Sequence, residues 1–147
     1  MKFHIRVCEA SDCADVLRLW KAADATPSLT DTLDEVQRTV ADPSAIFLIA
    51  TDTDGHLVGS VIGGWDGWRG NIYRLAVAPE ARRQGLAAAL VREVSDRLER
   101  EKGAKRVTAL VEKAHADAVG FWESDGKSHH GFSLDARMVR YIRTAGR

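Results

Sequence analysis

The sequence predicts a single mixed α/β domain over residues 1–147, in which a mostly antiparallel central sheet is flanked by helices. Three observations predict this class: apolar runs of strand length, amphipathic segments with helical spacing, and the order in which they follow one another. The predicted order is β-α-α-β-β-β-α-β-α-β, with room for a seventh strand near the end. With 147 residues, 45% of them hydrophobic, the chain can bury one core.

The first third of the chain predicts one strand and two helices. Residues 3–7 alternate apolar and polar side chains, as a half-buried strand does. Ser11 and Asp12 are suited to cap the helix that follows. The apolar face expected for that helix consists of Val16, Leu17, Trp20 and Ala23. Residues 30–41 predict a second, short helix that ends near Pro43. Its expected buried residues are Leu33, Val36 and Val40.

Three consecutive antiparallel strands are predicted next. Residues 45–50 form a continuous apolar run, residues 52–55 a hairpin turn, and residues 57–64 the returning strand. Residues 65–70, with the sequence Trp-Asp-Gly-Trp-Arg-Gly, then turn the chain into a third strand over residues 71–77. That strand is apolar enough to be central in the sheet.

The last part of the chain predicts a long helix, a strand, another helix and a terminal strand. The long helix runs over residues 83–102, and Gly103 is placed to end it. Its expected buried residues are Leu86, Leu90, Val94 and Leu98. The segments that follow are residues 105–111, 114–124 and 132–142, in that order.

The junction between the third central strand and the long helix indicates a binding site for an anion. Pro79 cannot continue a sheet ladder, and Gly85 lets the backbone approach a ligand closely. Free N–H groups at a helix start and the helix dipole favour a phosphate there. The candidate phosphate-binding residues are Arg82, Arg83, Gln84, Gly85, Leu86, Ala87 and Ala88. An ordinary strand–loop–helix junction is the alternative at this point.

The same segment resembles motif A of the GCN5-related N-acetyltransferases, in a single-domain form of bacterial type. The family pattern of Arg or Gln, two residues, Gly, any residue, and Gly or Ala matches residues 82–87, and its Val-x-Pro approach matches residues 77–79. The element order also matches that family's fold, so the resemblance covers nearly the whole chain. It implies a sheet that splays between the third central strand and the strand after the long helix.

The resemblance also implies the donor substrate and the reaction. Acetyl-CoA would bind with its pyrophosphate at the glycine loop, and an amine would attack the thioester directly in a ternary complex. The backbone of Leu75, Ala76 and Val77 would pair with the pantetheine arm as another strand would. The acceptor would be a small-molecule or protein amine, and a homodimer is left open.

Residues 113–122 resemble the family's last functional helix, Asn-x-x-Ala-x-x-Phe-Tyr, with two departures. His115 stands where Asn often binds the pantetheine arm, and it can still donate one hydrogen bond. Trp122 stands where Tyr often protonates the departing thiolate, and an indole N–H cannot supply that proton near neutral pH. Packing or a weak hydrogen bond to sulfur are the two roles left to Trp122.

The catalytic base has several candidates. The family's Gly-Phe pair comes late here, at residues 131–132, which indicates an inserted loop near the acetyl end of the cleft. Within that loop His129 and His130 could deprotonate the acceptor, or they are simply two solvated histidines. Glu112, after the strand that follows motif A, is another candidate base acting through water.

Acceptor recognition is predicted for the turn at residues 65–70. Asp66 could attract an amine while Trp65 or Trp68 covers its stem. The alternative is that the tryptophans pack between hairpin and helix while Asp66 and Arg69 stabilise the turn.

The composition limits which partners, cellular location and metals are expected for the protein. Acidic and basic residues balance at 21 each and the pI is about 7.0, so no general attraction to nucleic acid or anionic membranes is expected. No apolar run suggests a signal peptide or membrane span, which predicts a cytoplasmic protein. Cys8 and Cys13 fit no zinc pattern, and no metal is expected.

Two other classes of function stand beside the acetyltransferase prediction. Loss of the family's Tyr and Asn would suit a catalytically weak module that binds coenzyme A or an acyl-CoA as a sensor. A non-enzymatic nucleotide-binding domain is disfavoured, because no Walker lysine follows the glycine loop.

Overall fold

The computed structural model of the chain describes residues 2–111, 113, 116–123 and 131–146. They fall into two compact units, Met1–Leu110 and Val111–Arg147. No helix within the described ranges is both long enough and apolar enough to cross a membrane.

The first unit is a mixed sheet flanked by helices, as the sequence predicts. Its strands are β1 (His4–Val7), β2 (Ile46–Thr51), β3 (Leu57–Trp65), β4 (Gly70–Val77) and β5 (Val107–Ala109). Its helices are α1 (Cys13–Ala22), α2 (Leu33–Ala41) and α3 (Leu86–Lys102), with short 3-10 turns at Ala10–Asp12 and Pro79–Ala81. The strands lie in the order β1-β2-β3-β4-β5; the first four are antiparallel neighbours, and β5 is parallel to β4.

The predicted splay lies between β4 and β5. Residues 70–72 of β4 pair with residues 107–109 of β5, and the ladder stops there. From Tyr73 to Val77, therefore, β4 has no strand partner on this edge among the described residues. The short 3-10 turn Pro79–Ala81 then connects this open edge to the loop before α3.

Helix α1 packs on one face of the sheet through Trp20. Its ring stacks on Phe47 with the centroids 6.4 Å apart, and its Nε1 donates a hydrogen bond to Ser60 Oγ at 2.9 Å. The predicted buried face is correct except at Leu17, which is half-buried, whereas Leu19 is buried. Residues three and four apart share a helix face, and Leu17 lies beside that stripe.

Helix α3 packs on the other face, against alternate residues of β3. A Cβ built on Gly63 would lie 2.6 Å from Val94 Cγ2, so only glycine allows the helix to approach this closely. The predicted stripe of α3 is confirmed as buried: Leu86, Leu90, Val94 and Leu98. Gly103 ends the helix with φ +74°, and its N–H donates to the Glu99 carbonyl at 3.1 Å.

Two predicted helices begin later than expected. Helix α2 starts at Leu33 because Thr32 is its N-cap, with Oγ1 accepting the Glu35 N–H at 3.3 Å. The stripe predicted for α2 is correct at Val36 only: Leu33, in the first turn, is 45% exposed, and Val40 is half-buried. Helix α3 starts at Leu86, not at residue 83, because the loop before it contains residues with positive φ angles.

The second unit contains one helix in its described residues, α4 (Ala116–Glu123). At least one terminal strand was predicted within residues 132–142, and this is wrong: residues 131–146 contain only an isolated bridge at Phe132. A strand needs a ladder partner, and a lone extended segment is not stable. The apolar side chains of this segment are correspondingly exposed, for example Tyr141 at 92% and Leu134 at 82%.

Candidate active site

The loop before α3 together with the first residues of that helix, residues 82–88, forms a glycine loop that carries unpaired backbone donors. The first backbone hydrogen bond at this end of α3 runs from Ala89 N–H to the Gly85 carbonyl at 3.0 Å. The N–H groups of residues 83–88 meet no acceptor within the described part of the chain. They lie at the positive end of a helix of 17 residues. Such an arrangement suits an anion with several oxygens, such as a pyrophosphate.

Two left-handed residues shape this glycine loop. Arg83 has φ +61° and Gly85 has φ +80°, which the right-handed helix cannot accommodate. The predicted helix start at residue 83 is therefore wrong, and the residues before Leu86 form the loop instead. A Cβ on Gly85 would meet no atom within 4 Å. The glycine thus faces open space where a ligand can approach.

The polar side chains of the loop have different partners. Arg82 Nε donates to the Val77 carbonyl at 3.3 Å and its Nη2 to the Ala23 carbonyl at 3.0 Å, which ties the end of β4 to the end of α1. Gln84 Nε2 donates to the Glu80 carbonyl at 3.3 Å. Arg83 is exposed. These contacts make Arg83 the better placed of the two arginines to meet a phosphate, while the predicted ligand roles of Arg82 and Gln84 stay predictions.

The open edge of β4 contains a β-bulge. Tyr73 pairs with Ile62 and Ala76 with Ser60, so two residues of β4 lie opposite the single residue between them on β3. Those two residues are Arg74 and Leu75, and Arg74 has φ +52°. The sequence did not predict this bulge, because arginine gives no signal for a left-handed conformation.

Leu75, Ala76 and Val77, the predicted partners of the pantetheine arm, form the end of this open edge. Ala76 is buried, and the other two are half-buried. Ala78 N–H donates to the Val58 carbonyl of β3 at 2.8 Å. Because alternate backbone groups of a strand face opposite neighbours, Val77 presents its N–H to the open edge, whereas its carbonyl already accepts from Arg82 Nε at 3.3 Å. A peptide-like ligand could therefore pair there.

Asp66 lies at the opposite end of β4 from the glycine loop. The strand has eight residues, which is roughly 25 Å of extended chain. Asp66 Oδ1 accepts the N–H groups of Trp68 at 2.8 Å and Arg69 at 2.7 Å. These hydrogen bonds lower the pKa of the Asp66 carboxyl below its ordinary value. The geometry supports the turn-stabilising alternative, and a role in acceptor binding stays a prediction.

A cleft of about 470 Å³ lies beside this turn. Its lining includes Trp65, Trp68, Arg69, Lys105 and Arg106, and the Arg69 guanidinium stacks 4.1 Å from the centroid of the Trp68 ring. The cationic side chains would repel an ammonium group. The cleft is therefore better suited to an anionic group than to the amine that the sequence suggested for it.

The two thiols lie in the core of the first unit. Cys8 and Cys13 are both buried and unpaired. Burial raises the pKa of the Cys8 thiol to about 12, and it also raises the pKa of Cys13. Both thiols are protonated at neutral pH, which is unsuitable for a nucleophile.

The β2–β3 turn groups three side chains that can bind metals, although the sequence predicted no metal site. Ligand atoms of Asp52, Asp54 and His56 lie within 4.8 Å of one another. Asp52 Oδ1 already accepts the N–H groups of Asp54 and His56, both at 2.9 Å. These bonds explain the cluster as a turn, and nothing else in it indicates a ligand.

In the second unit, Trp122 packs between two aromatic rings. Its ring meets Phe121 edge-on at 5.3 Å and Phe132 at 5.1 Å between centroids. This packing is consistent with the structural role considered for Trp122. The predicted residues Glu112, His115, His129 and His130 lie outside the described residues.

The arrangement of the first unit suits an extended, phosphate-bearing ligand that lies along an open strand edge. The sequence model of the acetyltransferase (GNAT) family matches residues 13–126. The acetyltransferase YE1169 of Yersinia enterocolitica is 31% identical over 136 residues, which cover 92% of this chain and 95% of that protein. The chain belongs to the GNAT family, and it is an acetyltransferase.

Solved structures share this fold at low sequence identity. A ribosomal-protein-alanine N-acetyltransferase from Brucella melitensis is 20% identical with a TM-score of 0.71, over 97% of this chain and 99% of that one. AAC(6')-Iy, in complex with the bisubstrate analogue CoA-S-monomethyl-acetylneamine, is 16% identical with a TM-score of 0.75, over 98% and 99% of the two chains.

Proposed function

We propose that this protein transfers the acetyl group of acetyl-CoA to a primary amine by direct attack in a ternary complex. The observation that carries the proposal is the continuity of two features of the first unit. The unpaired N–H groups of residues 83–88 suit the pyrophosphate, and the open edge of β4 that leads to them suits the pantetheine amides. Membership in the GNAT family supports acetyl-CoA as the donor.

The proposed reaction needs the chain to position two substrates and to handle two protons. The amine nitrogen bonds to the thioester carbonyl carbon, the C–S bond breaks, and the electron pair leaves with the sulfur. Backbone N–H groups at the β4 bulge stabilise the charge that develops on the carbonyl oxygen. The proton lost by the amine goes to a base, for which His129, His130 and Glu112 are the candidates.

The leaving thiolate takes its proton from solvent in this proposal, because Trp122 cannot donate one. A thiol's pKa lies only a unit or two above neutral, so the thiolate leaves without obligatory assistance. Replacing the usual acid would then slow the reaction by about a hundredfold, the lower range for acid–base assistance. The proposal therefore expects a slower enzyme, not an inactive one.

The acceptor is proposed to be a small-molecule or protein amine. The two solved structures named above represent both kinds: AAC(6')-Iy is in complex with the bisubstrate analogue CoA-S-monomethyl-acetylneamine, and the other protein is a ribosomal-protein-alanine N-acetyltransferase. We place the protein in the cytoplasm, which the unpaired buried thiols Cys8 and Cys13 support.

A second candidate function is a sensor that binds coenzyme A or acyl-CoA and turns over slowly. The observation that favours it is Trp122, which packs against Phe121 and Phe132 at the position of the usual acid. Substitution of Trp122 separates the two functions. For an enzyme that uses Trp122 only for packing, Trp122→Phe keeps most of the turnover and Trp122→Tyr raises it.

The decisive experiment is a thiol-release screen with acetyl-CoA against amino acids, polyamines, aminoglycosides and peptides with free N-termini. Sustained coenzyme A release that depends on one amine class supports the enzyme. Saturable acetyl-CoA binding by calorimetry, with no amine-dependent release in any class, supports the sensor. Binding of ATP in place of acetyl-CoA would contradict both.

A further inference from the structure

The left-handed residue in the middle of β4 is held by its surroundings. A non-glycine residue at φ +52°, such as Arg74, is strained by about 1–3 kcal/mol, and it persists only where neighbouring contacts determine it. Two sets of contacts hold Arg74. One set is made by its backbone carbonyl, and the other by its guanidinium group.

The Arg74 carbonyl is held by a buried chain of two hydrogen bonds. Trp20 Nε1 donates to Ser60 Oγ at 2.9 Å, and Ser60 Oγ donates to the Arg74 carbonyl oxygen at 2.9 Å. An indole N–H is only a donor, so the serine hydroxyl must direct its single proton to the carbonyl. Ser60 is fully buried and Trp20 is 4% exposed, so water does not compete.

This chain fixes the orientation of the peptide that follows Arg74. In a planar trans peptide, the carbonyl and the N–H of the next residue point in opposite directions. Because the Arg74 carbonyl points towards Ser60 on β3, the Leu75 N–H points away from β3. On that side β4 has no strand partner beyond Ile72 in the part of the chain that the structure describes.

The guanidinium of Arg74 joins the bulge to the connection between α1 and α2. Its Nη2 lies 2.7 Å from both carboxylate oxygens of Asp31 and donates to the Thr26 carbonyl at 2.9 Å. Its Cζ lies 5.1 Å from the centroid of the Trp20 ring. Both partners of this ion pair are largely shielded, with side chains 20% exposed.

We propose that Ser60 and the Arg74–Asp31 pair are positioning residues that aim the Leu75 N–H at the thioester carbonyl of acetyl-CoA. None of these side chains touches the donor; they act through the peptide plane of the bulge. The inference rests on the proposed function, since it needs acetyl-CoA to lie along the open edge of β4. It adds a polar scaffold that sets how strongly the carbonyl is polarised.

The test is the infrared stretching frequency of the thioester carbonyl in bound acetyl-CoA, isotope-labelled at the carbonyl carbon. Binding to the parent protein should lower that frequency relative to acetyl-CoA in water. In Ser60→Ala at least half of the lowering should be lost, while the dissociation constant for acetyl-CoA changes less than threefold. Turnover with any accepted amine should fall about tenfold, less than the loss of a whole oxyanion donor.

A matched serine controls for the loss of a buried hydroxyl. Ser95 of α3 is also buried, and its Oγ has no hydrogen-bond partner within the described residues. Ser95→Ala should therefore leave both the carbonyl frequency and the turnover unchanged. Ser60→Thr restores a hydroxyl and should bring the frequency back towards that of the parent protein.

The Asp31→Asn variant covers the case in which Ser60→Ala does not fold. Asp31 is a half-buried residue of a connecting segment, and the exposed Asp34 provides its control as Asp34→Asn. Asp31→Asn should shift the carbonyl frequency in the same direction as Ser60→Ala and by less. Folded Ser60→Ala or Asp31→Asn protein with normal affinity and an unchanged frequency would overturn the proposal. A parent protein that does not bind acetyl-CoA would instead refute the proposed function.

Discussion

The segments beyond the two ends of β4 share two residue types but differ in what becomes of their backbone N–H groups. The β3–β4 turn, residues 66–69, and the glycine loop, residues 82–88, each contain a glycine with positive φ and at least one arginine. In the turn, a carboxylate of the same segment accepts the free N–H groups. In the glycine loop, the N–H groups of residues 83–88 have no acceptor among the described residues. The difference between a structural turn and a binding site is therefore whether the chain satisfies its own donors.

The most direct test of this difference is to introduce the same side chain at Gly85 and at Gly67. Gly85 and Gly67 have φ +80° and +91°, and a Cβ on either would meet no atom within 4 Å. The conformational strain of a substitution is thus similar, and only the ligand distinguishes the two sites. Gly85→Glu should weaken acetyl-CoA binding more than a hundredfold, because a carboxylate would occupy the anion site. Gly67→Glu should bind as the parent does.

Calorimetric titration of folded protein measures both affinities. Thermal unfolding of the two variants checks that the strain is matched. Equal affinity of Gly85→Glu and the parent protein would remove the phosphate role of the glycine loop.

The same comparison shows what the sequence could predict and what it could not. The glycine loop was predictable because Pro79 restricts the backbone and Gly85 permits a left-handed conformation, and both effects come from the residue itself, whatever surrounds it. The bulge was not, because Arg74 adopts its conformation through Ser60 and Asp31, which are 14 and 43 residues away in the chain. The start of α3 was misplaced for a related reason, since the positive φ of Arg83 has no local signature.

Packing limited the prediction elsewhere. Spacing alone identified the buried stripe of α3, a long helix with one face against the sheet. In the shorter α2 it failed at Leu33, which the cap at Thr32 places in the exposed first turn. The segment 132–142 has the composition of a strand, and composition does not supply a partner.

The second prediction compares the arginines of the two segments, and the expected loss of acetyl-CoA affinity is smaller than for the glycine substitution. Arg83 is exposed beside the free N–H groups, whereas Arg69 stacks on Trp68. Arg83→Ala should weaken acetyl-CoA binding about three- to tenfold, as loss of a charge-assisted contact of roughly 1 kcal/mol would. The loss should shrink at high salt, because exposed charges are screened.

Arg69→Ala is the control in the same titrations and should leave the acetyl-CoA affinity unchanged. Arg82→Ala serves a different purpose. Because the Arg82 guanidinium holds the carbonyls of Val77 and Ala23, its removal should lower thermal stability. If instead Arg82→Ala lost affinity and Arg83→Ala did not, the assignment of the phosphate-binding arginine would have to be exchanged.

The smallest expected effect lies in the turn itself, at Asp66. The backbone N–H groups of Arg69 and Trp68 lower the pKa of this carboxyl, so the ionised form stabilises the folded state. That contribution is complete above the unfolded pKa of about 4 and is lost as the pH falls through the lower folded pKa. Asp66→Asn keeps the acceptor oxygen without the charge, as protonated Asp66 does. The variant should therefore unfold at slightly lower urea than the parent at pH 7, and the two midpoints should converge below about pH 4. A difference that persisted unchanged to low pH would contradict this origin of the pKa shift.

The kinetics of the Asp66→Asn variant test the second predicted role of Asp66, in binding the acceptor. A raised KM for the amine with an unchanged KM for acetyl-CoA would place Asp66 in the acceptor site. Unchanged values of both constants would mean that Asp66 only stabilises the turn.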